Sequence, residues 1–236
     1  MNELYRYLTL SVSSEWRRLP AGERSAHKRE LAAAAASDER IRVHAYSLIG
    51  TRGDADLLLW AVGADLEELR AFERRLAATA LWSWSTRPYA FLAARRRSPY
   101  LGDHAHSGSE HSRGTAGPVG DRRYLVVYPM VKKRTWYALP HEERTRMMGK
   151  HFEIGHRYPQ VRIHTAYSFG IDDQEFVVAF EVDDVREFLT LVADLRETEA
   201  SAYTERETPI LVGAAMPIER ALDEIDGAAE RQRVFA

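Results

Sequence analysis

The sequence predicts an α+β protein in which one ferredoxin-like βαββαβ unit occurs twice, the pair forming a dimeric α+β barrel-type domain. Three observations carry this. RVHAYS at positions 42–47 returns as RIHTAYS at 162–168, about half a chain later. The phrase belongs to blocks repeated in one order: YLTLSV, WRRLPAGER, RVHAYSLIGTRGDADLLLWAV, LEELRAFERRL and YAFLA, then YLVVYP, WYALPHEER, RIHTAYSFGIDDQEFVVAFEV, VREFLTLVADL and PILVG. Within each copy the apolar pattern alternates between strand and helix spacing in the order βαββαβ. A tandem duplication constrains the architecture before any local assignment is made.

The second copy shows the elements in sequence. Tyr124–Val127 is a β-rich run. Pro140 followed by Glu142 and Glu143 starts a helix, because proline suits the first turn and acids favour the positive end of the helix dipole. Val161–Phe169 and Glu175–Val182 are strands joined at Ile171-Asp172-Asp173. Val185, Phe188, Leu189, Val192 and Leu195 recur at helical spacing, and Pro209–Val212 is expected to close the copy as its fourth strand. The boundaries follow: an N-terminal copy at 1–93, a Gly-, Ser-, His- and Arg-rich linker or lid at 94–121, a C-terminal copy at 122–216, and a polar, peripheral tail at 217–236.

Composition excludes several functions. A formal net charge of −2 with both signs mixed offers no basic field for a nucleic acid. The absence of cysteine removes disulfides, iron–sulfur clusters, thiolate nucleophiles, covalent haem attachment through thioethers and the common structural zinc sites. No long apolar run marks a membrane span or signal peptide, so a soluble cytoplasmic protein is expected.

The duplication also separates packing from chemistry. Trp16 and Trp136, or Arg24 and Arg144, occur in both copies and are expected to be packing. Tyr128 and His151 occur in one; counted from the first strands and from the tryptophans, they fall opposite Ser11 and Leu31. His151 lies one helical turn from Met147, Met148, Ile154 and Gly155, on the apolar face. There it is either a metal ligand, with an apolar wall suited to haem, or a core histidine bonded to a carbonyl. Tyr128, Met130 and Lys132 share one strand face, which suits a pocket for an oxidisable, carboxylate-bearing ligand or a barrel rim with a snorkelling lysine. Asp172, Asp173 and Glu175 read as a capped turn, and Arg95–Arg97 as a solvated face.

YPMVK, WYALPHEERTRMMGKH, YSFGIDDQEFVVAFE, LRETEASAY and TPILVG resemble the chlorite dismutase family, and within it the coproheme decarboxylases. The resemblance covers the second copy. It implies a homopentamer of duplicated ferredoxin-like barrels, with haem b or coproheme (Fe-coproporphyrin III) in the C-terminal copy, hydrogen peroxide as oxidant and a transient contact with a ferrochelatase. By the same resemblance His151 is the axial ligand, Tyr128 the radical-forming tyrosine, Lys132 a lysine near a propionate, Met130 a pocket wall and Ser201 a propionate-binding serine. The distal arginine of chlorite dismutases falls at Ile163 and the glutamate that bonds their axial histidine at Ala200, which argues against chlorite chemistry. A distal histidine used by a subset of the family falls at His111. The implied reaction is oxidative decarboxylation of two propionates to vinyl groups, giving haem b. The rivals are a chlorite-decomposing or peroxidase-like haem enzyme and a non-catalytic haem carrier.

Overall fold

The computed structural model describes residues 3–100 and 119–228. It divides into two units, one comprising the chain up to Ala94 together with Leu211 onward, the other Arg95–Ile210.

The first unit runs β1 (Leu4–Val12), a 3₁₀ turn (Trp16–Arg18), α1 (Ala21–Ala36), β2 (Arg42–Ser47), β3 (Leu57–Gly63), α2 (Leu66–Ala77), a short α3 (Ala80–Ser83), a two-residue β4 (Ser85–Thr86) and β5 (Ala90–Arg95). Its strands lie antiparallel in the order β2-β3-β1-β5, the arrangement of a ferredoxin-like unit. Leu8, Leu10 and Val12 of β1, Leu31 of α1 and Leu81 of α3 share one apolar core with Leu57, Leu59, Leu69 and Phe72. Asp65 caps α2 by accepting from the Glu68 N–H at 2.9 Å.

The second unit repeats the pattern with β6 (Tyr124–Lys132), α4 (Arg134–Ala138), α5 (His141–His156), β7 (Arg162–Tyr167), β8 (Phe176–Val182), α6 (Val185–Arg196), a 3₁₀ turn (Glu199–Tyr203) and β9 (Thr204–Arg206). The sheet order is β7-β8-β6-β9. The fold class expected from the sequence is the one found. The copies match in element length: β1 and β6 each have 9 residues, α1 and α5 each 16, β3 and β8 each 7. Leu8 pairs with Leu59 where Tyr128 pairs with Val178, and Leu4 with Gly63 where Tyr124 pairs with Val182. Tyr128 therefore stands in the place of Leu8, not Ser11: strand length and register, not the first matching aromatic, set the correspondence.

At the end of the chain the strand expected at Pro209–Val212 forms as β10 (Leu211–Met216), which is grouped with the first unit and pairs antiparallel with β2 through Ala214↔Ser47 and Met216↔Ala45. Gly213 permits this approach, since a Cβ there would lie 2.7 Å from the Cβ of Tyr46. The tail read as polar and peripheral contains α7 (Ile218–Ile225), whose Ala221, Leu222 and Ile225 are buried in the first unit's core. Its polar side is fastened to α1: Lys28 Nζ lies 2.6 Å from Asp223 and 3.3 Å from Asp226, and Arg24 Nε donates to Asp226 at 2.9 Å. A segment of mixed composition thus buries one stripe and pairs the other. Leu222→Ala is expected to lower the stability of the folded chain by about 2–4 kcal/mol, measured by urea unfolding, with no change in the sheet signal of the native state.

Candidate functional site

Equivalent positions in the two units locate the site. With the offset set by the strands and helices above, Leu8, Leu10, Val12, Leu31 and Leu81 of the first core become Tyr128, Met130, Lys132, His151 and Ala200. Five aliphatic packing positions are exchanged for a phenol, a thioether, an ammonium, an imidazole and a side chain cut back to a methyl. The effect on α5 is direct. Where α1 buries Leu31, Ala32 and Ala35, the fully buried residue of α5 is Met147, and the face carrying His151 stays half-buried.

His151 is not a satisfied core histidine. Its Nδ1 is buried without a hydrogen-bond partner among the described residues. Burial, and then the charge of Lys132, pull its pKa from the ordinary 6.5 to about 4, so at neutral pH the ring is uncharged and has a lone pair free to donate. Such an imidazole, on an apolar flank beside Met147, fits the axial-ligand role of a haem site.

Lys132 does not snorkel. It is 8% exposed; its Nζ donates to the Ala200 carbonyl at 2.8 Å and to Thr204 Oγ1 at 3.3 Å, and stands 5.0 Å from the centre of the Trp136 ring. Burial lowers its pKa to about 8. Tyr128 is buried on β6, its ring stacked on Phe180 at 5.9 Å, and burial followed by the nearby Glu207 carboxylate pushes its phenol well above the usual range. Met130 is half-buried on the same strand face, opposite Phe176. Ile163, opposite Phe180 on β7, reaches toward α5: its Cδ1 is 3.9 Å from a Cβ built on Gly155, one turn beyond His151. Ser201 sits half-buried in the 3₁₀ turn beside Ala200. His111 lies outside the described residues.

Of the turn acids, Asp172 caps the turn, accepting from the Asp173 N–H and from Gln174, whereas Glu175 is buried and reaches out of the turn to take the Tyr137 hydroxyl at 2.6 Å and the Lys132 N–H at 2.9 Å. Among the described residues no cluster of three metal-ligating side chains occurs. The sequence reading passed over Arg196, which pairs with Glu207 and acts on Tyr128 in the opposite sense to it. Its counterpart in the first unit is Ala77, so the one-copy-only criterion would have found it.

Residues 22–216 match the sequence profile of chlorite dismutase. The chain belongs to the chlorite dismutase family. It is 29% identical over 181 residues to the coproheme decarboxylase of Mycolicibacterium smegmatis, covering 76% of this chain and 75% of that one. In fold it is similar to the chlorite dismutase of Candidatus Nitrospira defluvii in complex with imidazole, with a TM-score of 0.85, 24% identity and 95% of each chain covered. A mutant chlorite dismutase from the same organism gives a TM-score of 0.84 at 25% identity over the same share of each chain. Among the described residues no helix is long and apolar enough to cross a membrane.

The neutral histidine sets a pH dependence. An unfolded His151 takes up a proton near 6.5, the folded ring near 4, so between these values the unfolded state binds more protons and stability falls as pH falls. The wild type should lose up to about 3 kcal/mol relative to His151→Gln between about pH 6.5 and pH 4, read from urea midpoints of the ligand-free proteins.

Proposed function

We propose that this chain is a coproheme decarboxylase, using hydrogen peroxide to convert two propionates of bound coproheme to vinyl groups and yielding haem b. The observation that carries the reading is the paired exchange of Leu31 for an unpartnered neutral His151 and of Leu8 for a buried Tyr128, within one unit and between otherwise matching elements. The similarity to the coproheme decarboxylase of Mycolicibacterium smegmatis supports the same substrate.

Coproheme is substrate and redox centre together, and with peroxide it supplies the oxidising equivalents. The chain supplies the rest. His151 would hold the iron, its ring kept unprotonated by burial. Tyr128 gives up an electron and its phenolic proton to the peroxide-derived oxidant, then takes a hydrogen atom from the β-carbon of a propionate. The carbon radical left behind gives a second electron to the same oxidant, one peroxide accepting both, and the carboxylate leaves as carbon dioxide so that a vinyl group remains. The stacking of Tyr128 on Phe180 holds the phenol in one orientation, which would select the propionate within its reach. Arg196 and Ser201 offer a guanidinium and a hydroxyl to ligand carboxylates, with Glu207 as the partner that Arg196 exchanges. His111 is proposed as the base for peroxide. A carboxylate-free histidine and an isoleucine at position 163 favour this reading over chlorite chemistry, which needs electron donation to the iron and a cation to steer an anion. A cytoplasmic homopentamer supplied by contact with a ferrochelatase completes the proposal.

Stepwise peroxide added to the coproheme-loaded protein should give two successive losses of carboxyl mass. Unchanged porphyrin would point to a carrier, and oxygen release from chlorite to a dismutase. Tyr128→Phe is expected to bind coproheme with the wild-type visible spectrum and to lose at least about 100-fold in decarboxylation. His151→Ala should lose the coproheme absorption band of the bound state.

A further inference from the structure

Trp136 is buried to 2% and packs with Met147 and Ala200, on the side of α5 that carries His151. Its ring centre lies 5.4 Å from that of Tyr203 and 6.1 Å from that of Tyr100, both half-buried. The aromatic pair is inherited packing: in the first unit Trp16 and Trp84 occupy the positions of Trp136 and Tyr203 in the apolar core. Beside a peroxide-driven redox centre, the same packing becomes a chain of oxidisable rings leading outward. What the second unit adds is Lys132, in the place of Val12, with its ammonium 5.0 Å from the Trp136 ring centre.

A cation held against an indole face stabilises the neutral ring and repels the positive charge that a one-electron oxidation would create there. Low exposure strengthens the effect, and the ammonium cannot swing away while it is bonded to the Ala200 carbonyl and Thr204. We propose that Lys132 guards Trp136 against oxidation, closing a side exit through Tyr203 and Tyr100 so that the oxidising equivalents reach Tyr128. The inference rests on the haem and peroxide reading above.

The electrons balance as follows. Reduction of one peroxide to two waters takes two electrons and two protons. Through an open exit, the Trp136 indole gives one electron and is left as a radical cation. Tyr203 returns that electron and releases its phenolic proton to water. Two such phenoxyl radicals then combine into a carbon–carbon-linked dityrosine. Tyr128 meanwhile goes unoxidised, and the propionate keeps its carboxyl.

The test maps oxidised residues by peptide mass spectrometry after peroxide treatment of coproheme-loaded wild type, Lys132→Met, Lys132→Arg and Lys132→Met/Trp136→Phe. Oxidation at Trp136, Tyr203 and Tyr100 should rise roughly tenfold in Lys132→Met alone. Lys132→Arg, which keeps the charge, should stay at the wild-type level, and the double variant should lose the gain at Tyr203. Equal oxidation in Lys132→Met and wild type, equal oxidation in Lys132→Met and Lys132→Arg, or a gain at Tyr203 that persists in Lys132→Met/Trp136→Phe would each overturn the guard. Should Lys132→Met fail to bind coproheme, Trp136→Phe with Lys132 intact decides: unchanged Tyr203 oxidation fits a closed exit, a fall contradicts it. A wild type that decarboxylates while these comparisons fail removes the guard and leaves the reaction standing; a wild type that does not decarboxylate removes both.

Discussion

In the first unit, Leu31 of α1 shares one close-packed apolar core with Leu8, Leu10 and Val12 of β1 and with Leu81. That contact is the constraint from which the second unit departs. Placing histidine, tyrosine, methionine and lysine at the same positions, and shrinking Leu81 to Ala200, makes full closure of α5 onto β6 impossible without burying unpaired polar groups. The helix keeps its length and start because Pro140, Glu142 and Glu143 still specify them. Backbone is retained and packing is surrendered, over one helix face.

The charges of that face are arranged by subtraction as much as by addition. With alanine at 200, no carboxylate among the described residues bonds His151 Nδ1, and the Ala200 carbonyl takes the Lys132 ammonium. A cation near His151, in place of an anion, pushes the ring toward its neutral form in the same direction as burial does. An uncharged imidazole without an anionic partner is a modest electron donor, which suits chemistry that passes oxidising equivalents to a tyrosine more than chemistry that loads electron density onto iron. Lys132 itself is kept soluble in the interior by two hydrogen bonds and an aromatic face, so one residue sets the electrostatics of both the ligand and its surroundings.

The duplicated architecture was legible because the constraint that shaped it acts locally and twice: strand and helix spacing, the proline-started helices and the hairpin turns can all be read within a window of a few residues. His151 was legible for the same reason, since helical spacing alone puts it on the face with Met147. The pairing of Tyr128 with Ser11 failed because block matching follows residue likeness, while the true counterpart, Leu8, is set by register against β3 and β8. The pairing of β10 with β2 was beyond local reading: β2 is far away in sequence, and the alternation of small residues in LVGAAM fits any sheet edge that admits Gly213. Arg196 was hidden by its ordinary place in the last turn of a helix, where arginine needs no special reason.

The units also differ in how well they could stand without a ligand. The first has an unbroken core and gains β10 and α7, with the Lys28, Arg24, Asp223 and Asp226 network fastening the last helix. The second keeps a half-buried helix face, a buried lysine and an imidazole nitrogen with no partner among the described residues, each of which costs free energy that hydrogen bonding only partly offsets. A ligand that donates an empty coordination position to His151 and covers the α5 flank would remove two of those costs at once. Binding of such a ligand would thereby be coupled to folding of the second unit through the same few side chains. Duplication makes that division tolerable: one copy holds the scaffold's stability while the other, relieved of it, carries polar groups in positions that a single-copy domain would have to fill with leucine.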